Sequence, residues 1–262
     1  MTQTPIINHK AVVERFLALI DPRASTKALH LEGASKLGKS HLVGTIFREI
    51  AESRNIPNAL IDLRVNFLSY VDILNEIADQ LGSDNFTHFK PDPPTYTINV
   101  TKIGVIGTTD TIIPEFGDRP RENDPYRLAL RMCRDLKRFP GQQAIIMFDQ
   151  VEEASPELQQ WMRYVLEVFG RCPGLRFAFA GTFKSSGRQP GAFPERFKAK
   201  LESYWLKEVG SRNNVEEYIR YCQLRNHRIE GTDLIAIADL SNFVPGQFVE
   251  FVELWERNHG RL

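Results

Sequence analysis

Apolar residues recur along this chain in two rhythms. Short continuous runs predict buried strands at Lys27-Ala-Leu-His-Leu-Glu32, Asn58-Ala-Leu-Ile-Asp-Leu-Arg64, Ala144-Ile-Ile-Met-Phe148 and Leu175-Arg-Phe-Ala-Phe-Ala180, with Tyr204-Trp-Leu206 as a fifth. Between them, apolar positions return at helical spacing. Val12, Val13, Phe16, Leu17 and Ile20 predict a first helix, ended by Asp21-Pro22. Leu42, Val43, Ile46, Phe47 and Ile50 predict a second, and Tyr70, Ile73, Leu74, Ile77, Ala78 and Leu81 a third. Ser69 with Asp72 three residues later marks the start of that third helix, and Gly82 suits the position just past its end. Asn123-Asp-Pro125 starts the next, with Tyr126, Leu130, Cys133 and Leu136 on its inner face. Ser155-Pro156 caps a long one carrying Leu158, Trp161, Met162, Val165 and Phe169. Near-continuous apolar strands alternating with helices mean an α/β fold: a parallel sheet covered on both faces.

Two stretches depart from this rhythm. Within residues 83–124, Lys90-Pro-Asp-Pro-Pro94 cannot continue a helix. Tyr96, Ile98 and Val100 then alternate with Thr97, Asn99 and Thr101, which reads as a β-hairpin-like insertion and a candidate partner surface or substrate-side loop. From about residue 211 no strand pattern recurs. Asn214 caps a helix to about Arg225, Thr232-Asp233 caps a second to Leu240, and Pro245 opens a third with Phe248, Phe251, Val252 and Trp255 inward. The expected division is an α/β unit over 1–210 and a small all-helical unit over 211–262.

Composition narrows the classes. The 262 residues are 42% hydrophobic and 25% charged, an ordinary globular balance, with a net charge of zero. A zero balance gives no field for nucleic acid or an anionic membrane. A nucleic-acid partner is therefore not indicated by charge, although Arg119-Pro-Arg121 and Lys184 to Lys200 are locally basic. Cys133, Cys172 and Cys222 form no CxxC or Cys/His cluster, so neither a zinc site nor a disulfide framework is expected. No signal-peptide pattern or membrane-length apolar run is present, and a cytoplasmic location is the expectation.

The chemistry concentrates in two motifs. Gly33-Ala34-Ser35-Lys36-Leu37-Gly38-Lys39-Ser40 reads G-x-x-x-x-G-K-S, the Walker A pattern, between a predicted strand and a predicted helix; His41 follows in the helix. Its backbone can wrap phosphate oxygens, and the helix start turns free N–H groups toward the same anion. Lys39 would reach the β- and γ-phosphates and the Ser40 hydroxyl would ligate Mg²⁺. The second motif is the apolar run ending at Asp149, the Walker B pattern, which places a carboxylate at the same sheet edge to reach Mg²⁺. Where many ATPases put glutamate next, this chain has Gln150, whose amide can orient water but cannot take its proton. Glu152 is the first candidate base and Glu153 the second. Thr182, after the fourth run, suits a γ-phosphate sensor, with Lys184 and Arg188 as sources of positive charge. Asn8 and His9, ahead of the first helix, are candidates for the neighbourhood of an adenine.

On these stretches, and on Val244-Pro245-Gly246 between the last helices, the chain resembles the STAND branch of the AAA+-like P-loop ATPases, especially short prokaryotic members. The resemblance implies a P-loop NTPase three-layer sandwich with a five-stranded parallel sheet in the order 5-1-4-3-2, plus a C-terminal helical lid. It also implies ATP/ADP binding and nucleotide-controlled assembly or signalling. STAND lids usually carry a Gly-x-Pro turn near the nucleotide. Here Pro245 is present, and Asn242 or Phe243 stands where glycine is expected. The implied function is an ATP-binding, slowly hydrolysing switch that controls self-association or a separate protein effector. A DNA-associated AAA+ helper of the transposition or replication type is the alternative. A small-molecule kinase would need an Arg-rich lid that the sequence does not display. Arg188, Arg196, Arg220 and Arg225 are equal candidates for a lid or trans arginine.

Overall fold

Alternation along the strands sets the architecture. The computed structural model describes residues 9–65, 69–90, 124–139, 143–181, 200–206 and 215–259. Five strands, β1 (Ala28–Glu32), β2 (Asn58–Asp62), β3 (Ala144–Asp149), β4 (Leu175–Ala180) and β5 (Leu201–Trp205), form one sheet in the order β2-β3-β4-β1-β5, which is the expected 5-1-4-3-2. All pairings are parallel. Successive side chains leave a strand on opposite faces. Ala144, Ile146, Phe148, Phe177 and Phe179 therefore join one apolar cluster while Ile145, Met147, Ala178 and Ala180 join another.

Helices α4 (Tyr70–Gln80), α5 (Pro125–Leu136) and α6 (Pro156–Phe169) cover the first face. The second is covered by α1 (Lys10–Leu19) and by the helix behind the phosphate loop. That helix runs as α2 (Lys39–His41), a π-helical stretch Leu42–Phe47, and α3 (Arg48–Ser53). Arg176, nearly fully buried in β4, fastens α1 to the sheet. Its guanidinium donates to Leu19 O at 3.0 Å, Ala24 O at 3.3 Å and Pro173 O at 2.8 Å. Among the described residues β2 is an edge. The Gln80 side-chain amide closes it, accepting from Leu60 N and donating to Leu60 O at 2.8 Å each.

Local chemistry sets the helix starts. Ser69 and Asp72 form a reciprocal capping box on α4. Asp124 caps α5 with Pro125 at its first position, and Ser155 caps α6. The inner face of α5 differs from expectation. Leu128, Ala129, Met132, Cys133 and Leu136 are buried, whereas Tyr126 and Leu130 are exposed. Cys133 and Leu136 belong to both faces; the buried one is rotated by less than a quarter turn from the expected one, toward Leu128, Ala129 and Met132. Residues Ser83–Asn85 form a short 3-10 turn, after which Phe86 and Phe89 enter the core beside Phe139. The expected hairpin at 96–113 lies outside the described residues.

Helices α7 (Val215–Leu224), α8 (Gly231–Leu240) and α9 (Pro245–His259) pack around Tyr218, Leu234, Phe248 and Val252. Helix α8 starts at Gly231 after an extended Glu230 with no side-chain cap, rather than at the expected Thr232-Asp233. On α9, Phe248 and Val252 are buried but Phe251 is exposed, against expectation. Three helices end alike. Asn55, Asn226 and Asn242 take φ of +53°, +55° and +50°. In each case the next residue's N–H reaches back five residues: Ile56 to Ala51 O, His227 to Cys222 O and Phe243 to Ala238 O. At the last of these Phe243 also takes φ +56°. It is held there by burial and by the Tyr218 hydroxyl, which donates to its carbonyl. Among the described residues no helix is long and apolar enough to cross a membrane.

Candidate nucleotide-binding site

The loop after β1 is shaped by what presses on it. Gly33 takes φ +138°, and a Cβ there would lie 2.8 Å from Leu206 O, so only glycine lets β5 approach. Gly38 takes φ +86° as the N-cap of α2. His9 sits buried at the start of α1 and donates from Nε2 to Leu37 O at 2.7 Å, which ties the lead-in helix to the loop. Lys39 folds back on its own loop, donating to Gly33 O and Ala34 O at 2.7 Å each. Burial holds the Lys39 ammonium below its ordinary pKa, against the pull of the Glu152 and Asp149 carboxylates.

The two motifs meet across the sheet edge. Ser40 Oγ donates to Asp149 Oδ1 at 3.0 Å, although 109 residues separate them. Gln150, at φ +56°, donates from its backbone to Asp149 Oδ1 and from its side-chain amide to Ser40 Oγ, both at 2.8 Å. Burial pushes the Asp149 carboxyl above the usual carboxylate range; the bonds from Ser40 and Gln150 oppose the shift. A hydroxyl and a buried carboxylate at one point suit a small hard cation that keeps waters and phosphate oxygens as its other ligands. The donor set therefore fits Mg²⁺. Among the described residues no cluster of three or more His, Cys, Asp or Glu could hold a metal by itself.

Of the two candidate bases, Glu152 is half-buried and lies over Gly181 at the end of β4, while Glu153 is exposed. Ser35 and His41 lie within the loop and its helix, as expected. Thr182, Lys184, Arg188, Arg196 and Asn8 lie outside the described residues. Arg220 and Arg225 lie in and just after α7.

Pro245 opens α9, and the residue after it meets the loop. Gly246 N donates to Lys36 O at 2.9 Å, and Lys36 Nζ pairs with Glu250 Oε2 at 2.7 Å. Lys36 takes φ +65° and Val244 packs on the apolar cluster that includes Leu37. Asp62 faces Asp149 across the β2–β3 register, and its charge is engaged by Arg64 Nε at 3.0 and 3.1 Å. The Arg64 bond holds Asp62 below the ordinary carboxylate range.

The chain superposes on the Walker-type ATPase PABY2304 of Pyrococcus abyssi with a TM-score of 0.57, at 15% identity, over 99% of this chain and 71% of that one. The fold is that of a P-loop ATPase. Looser likenesses are to Cdc6p from Pyrobaculum aerophilum (TM-score 0.48, 12% identity, 88% of this chain and 53% of that one) and to Drosophila ORC bound to DNA (0.48, 10%, 76% and 89%). No protein-family model matches the sequence, and no curated protein matches it.

Motif reading missed three contacts of the site: His30, whose Nε2 donates to Gly181 O beside Glu152, the Asp62–Arg64 pair and the Lys36 joint. His30 had a sequence signal, as the one ring nitrogen donor in an otherwise apolar strand run. The Lys36–Glu250 pair had none, because 214 residues separate the partners.

Proposed function

We propose that this chain binds ATP with Mg²⁺ on Gly33–Ser40, hydrolyses it slowly, and works as a STAND-type switch that controls self-association or the binding of a separate protein effector. The observation that carries the reading is the joint at Lys36. One residue of the phosphate loop is bonded to α9 by its backbone and by its side chain. A ligand that rearranges the loop must therefore disturb the lid.

The loop amides and the start of α2 bind the phosphates. Lys39 exchanges its two loop carbonyls for phosphate oxygens. Ser40 and Asp149 would hold Mg²⁺, which would supply charge neutralisation at those oxygens. Glu152 is the general base, Glu153 the poorer candidate for being exposed, and Thr182 the sensor. Gln150 is bonded to Ser40 and orients rather than deprotonates. A site with an amide at that position should turn over at less than about 1 s⁻¹, against a median near 10 s⁻¹ for enzymes.

Lys39→Ala should abolish ATP binding in isothermal titration; an unchanged affinity would refute the site. Size-exclusion chromatography with light scattering, without nucleotide, with ADP and with a nonhydrolysable ATP analogue, tests the switch. A mass that changes only with the analogue is expected. A constant monomer in all three states refutes self-association.

A further inference from the structure

The strand that feeds the phosphate loop holds one ring that none of these roles uses. His30 is 4% exposed. Its Nε2 lies 2.8 Å from Gly181 O at the end of the neighbouring β4, and its Nδ1 lies 3.3 Å from Glu32 Oε1. The ring meets Phe179 edge-on at 6.4 Å, which fixes its plane. A carbonyl can only accept, so Nε2 carries a proton and donates. Burial holds His30 below the ordinary histidine pKa, against the pull of the Gly181 carbonyl and of the Glu32 and Glu152 carboxylates, and the Nε2–H bond to Gly181 O is made whether or not Nδ1 also carries a proton.

Gly181 in turn makes room for Glu152. A Cβ there would fall 1.7 Å from Glu152 Oε2 and 2.8 Å from Glu152 Cδ. The carboxylate thus occupies the space a side chain would fill, and where the Gly181 backbone stands decides where that space is. Moving Gly181 by about an ångström moves the carboxylate or forces it out.

We propose that His30 is a positioning residue for phosphate cleavage: by holding the Gly181 carbonyl it keeps open the slot in which the Glu152 carboxylate faces the attacking water. The inference rests on the ATPase reading above. In the step concerned, the water oxygen bonds to the γ-phosphorus and Glu152 takes the water proton. The bond to the β–γ bridging oxygen breaks, its electron pair leaving on ADP.

The test compares two side chains of similar size in the full chain. His30→Gln keeps an N–H that can donate to Gly181 O; His30→Met fills the space without a donor. ATP affinity is read with a fluorescent analogue, and the chemical step by single-turnover hydrolysis at saturating protein. Affinity should stay within about threefold in both, because the bond at issue runs from His30 to Gly181 O, outside Gly33–Ser40. The rate should fall by at least about tenfold in His30→Met, on the scale of an ångström's misplacement, and recover to within about threefold of wild type in His30→Gln. A His30→Met rate within about twofold of wild type, or equal losses in both folded variants, overturns the proposal. Absence of turnover in the wild type overturns the ATPase reading, and this proposal with it.

Discussion

Gly246→Ala tests the joint between the phosphate loop and α9. Gly246 is the second residue of α9, so its N–H has no acceptor inside the helix and finds Lys36 O at 2.9 Å instead. A Cβ would stand 2.8 Å from that oxygen and 2.9 Å from Lys36 Cβ. Neither atom is the end of a flexible side chain, so the two segments must part. Two effects then oppose each other. Alanine for glycine in a helix contributes up to about 1 kcal/mol. Opening the contact costs the hydrogen bond, about 1 kcal/mol net, and weakens an exposed ion pair worth about 0.5 kcal/mol. The sum is near zero, and Tm should stay within about 3 °C of wild type. The joint itself should loosen by about 1.4 kcal/mol, or tenfold in its opening equilibrium. Amide hydrogen exchange at residue 246 reads this directly. In the wild type that amide should be protected although it sits in the first turn, and in the variant it should exchange about tenfold faster. Equal protection of this amide in variant and wild type, with Tm raised by the full helix gain, would show that the contact holds nothing.

Three further outcomes follow from buried polar groups. Asp149→Asn keeps the Oδ1 acceptor used by Ser40 and Gln150 but removes a buried charge. Because burial raises the folded-state pKa, the charge opposes folding above that pKa and the penalty disappears as pH falls through it. Calorimetry should find the variant more stable at neutral pH by about 1 kcal/mol, the gap closing in acid, while Mg²⁺-dependent nucleotide binding is lost; a neutral-pH Tm below wild type refutes this. Asp135, fully buried, accepts from Thr87 Oγ1, His88 N, His88 Nδ1 and Phe89 N. Burial would raise its carboxyl, but these bonds outweigh it and hold the pKa below the ordinary value. Its stabilisation is present above the ordinary carboxylate pKa and lost as pH falls through the lowered one. Asp135→Asn turns an acceptor into a donor facing N–H groups and should cost about 3 kcal/mol in urea unfolding; under about 1 kcal/mol counts against the assignment. Arg176→Met, stripping the carbonyls of Leu19, Ala24 and Pro173 of their donor, should cost about 2 kcal/mol and raise exchange in α1 before the rest of the chain. Uniform exchange would argue that α1 is held otherwise.

What can be read ahead of the structure is whatever the chain states locally. Apolar runs mark β1 to β4, Ser69 and Asp72 mark a cap, and the loop announces itself as a pattern of adjacent residues. The inner face of α5 defeats such a reading because its apolar residues spread over two adjoining faces that share Cys133 and Leu136. Local spacing cannot say which one meets the sheet. The helix ends at Asn55, Asn226 and Asn242 need knowledge of φ that asparagine permits but does not demand. The site's long-range contacts, His30 to Gly181 and Lys36 to Glu250, exist only because distant segments arrive at one sheet edge. The pairing of Ser40 with Asp149 is legible across a similar distance because each end belongs to a motif whose partner is chemically specified.

The corner at Asn242 and Phe243 decides where movement can be absorbed. A glycine there would let α8 and α9 fold against each other like a loose elbow. A phenylalanine at φ +56°, packed against Tyr218, resists that movement, since rotation there would lift a buried aromatic ring out of the C-terminal helical core. The two helices therefore meet at a corner that resists rotation, and the start of α9 rests on Lys36. From the Gly246–Lys36 contact, α9 runs on for about 20 Å to His259, so the far end of the helix is fixed by a corner and a contact that both lie at its start.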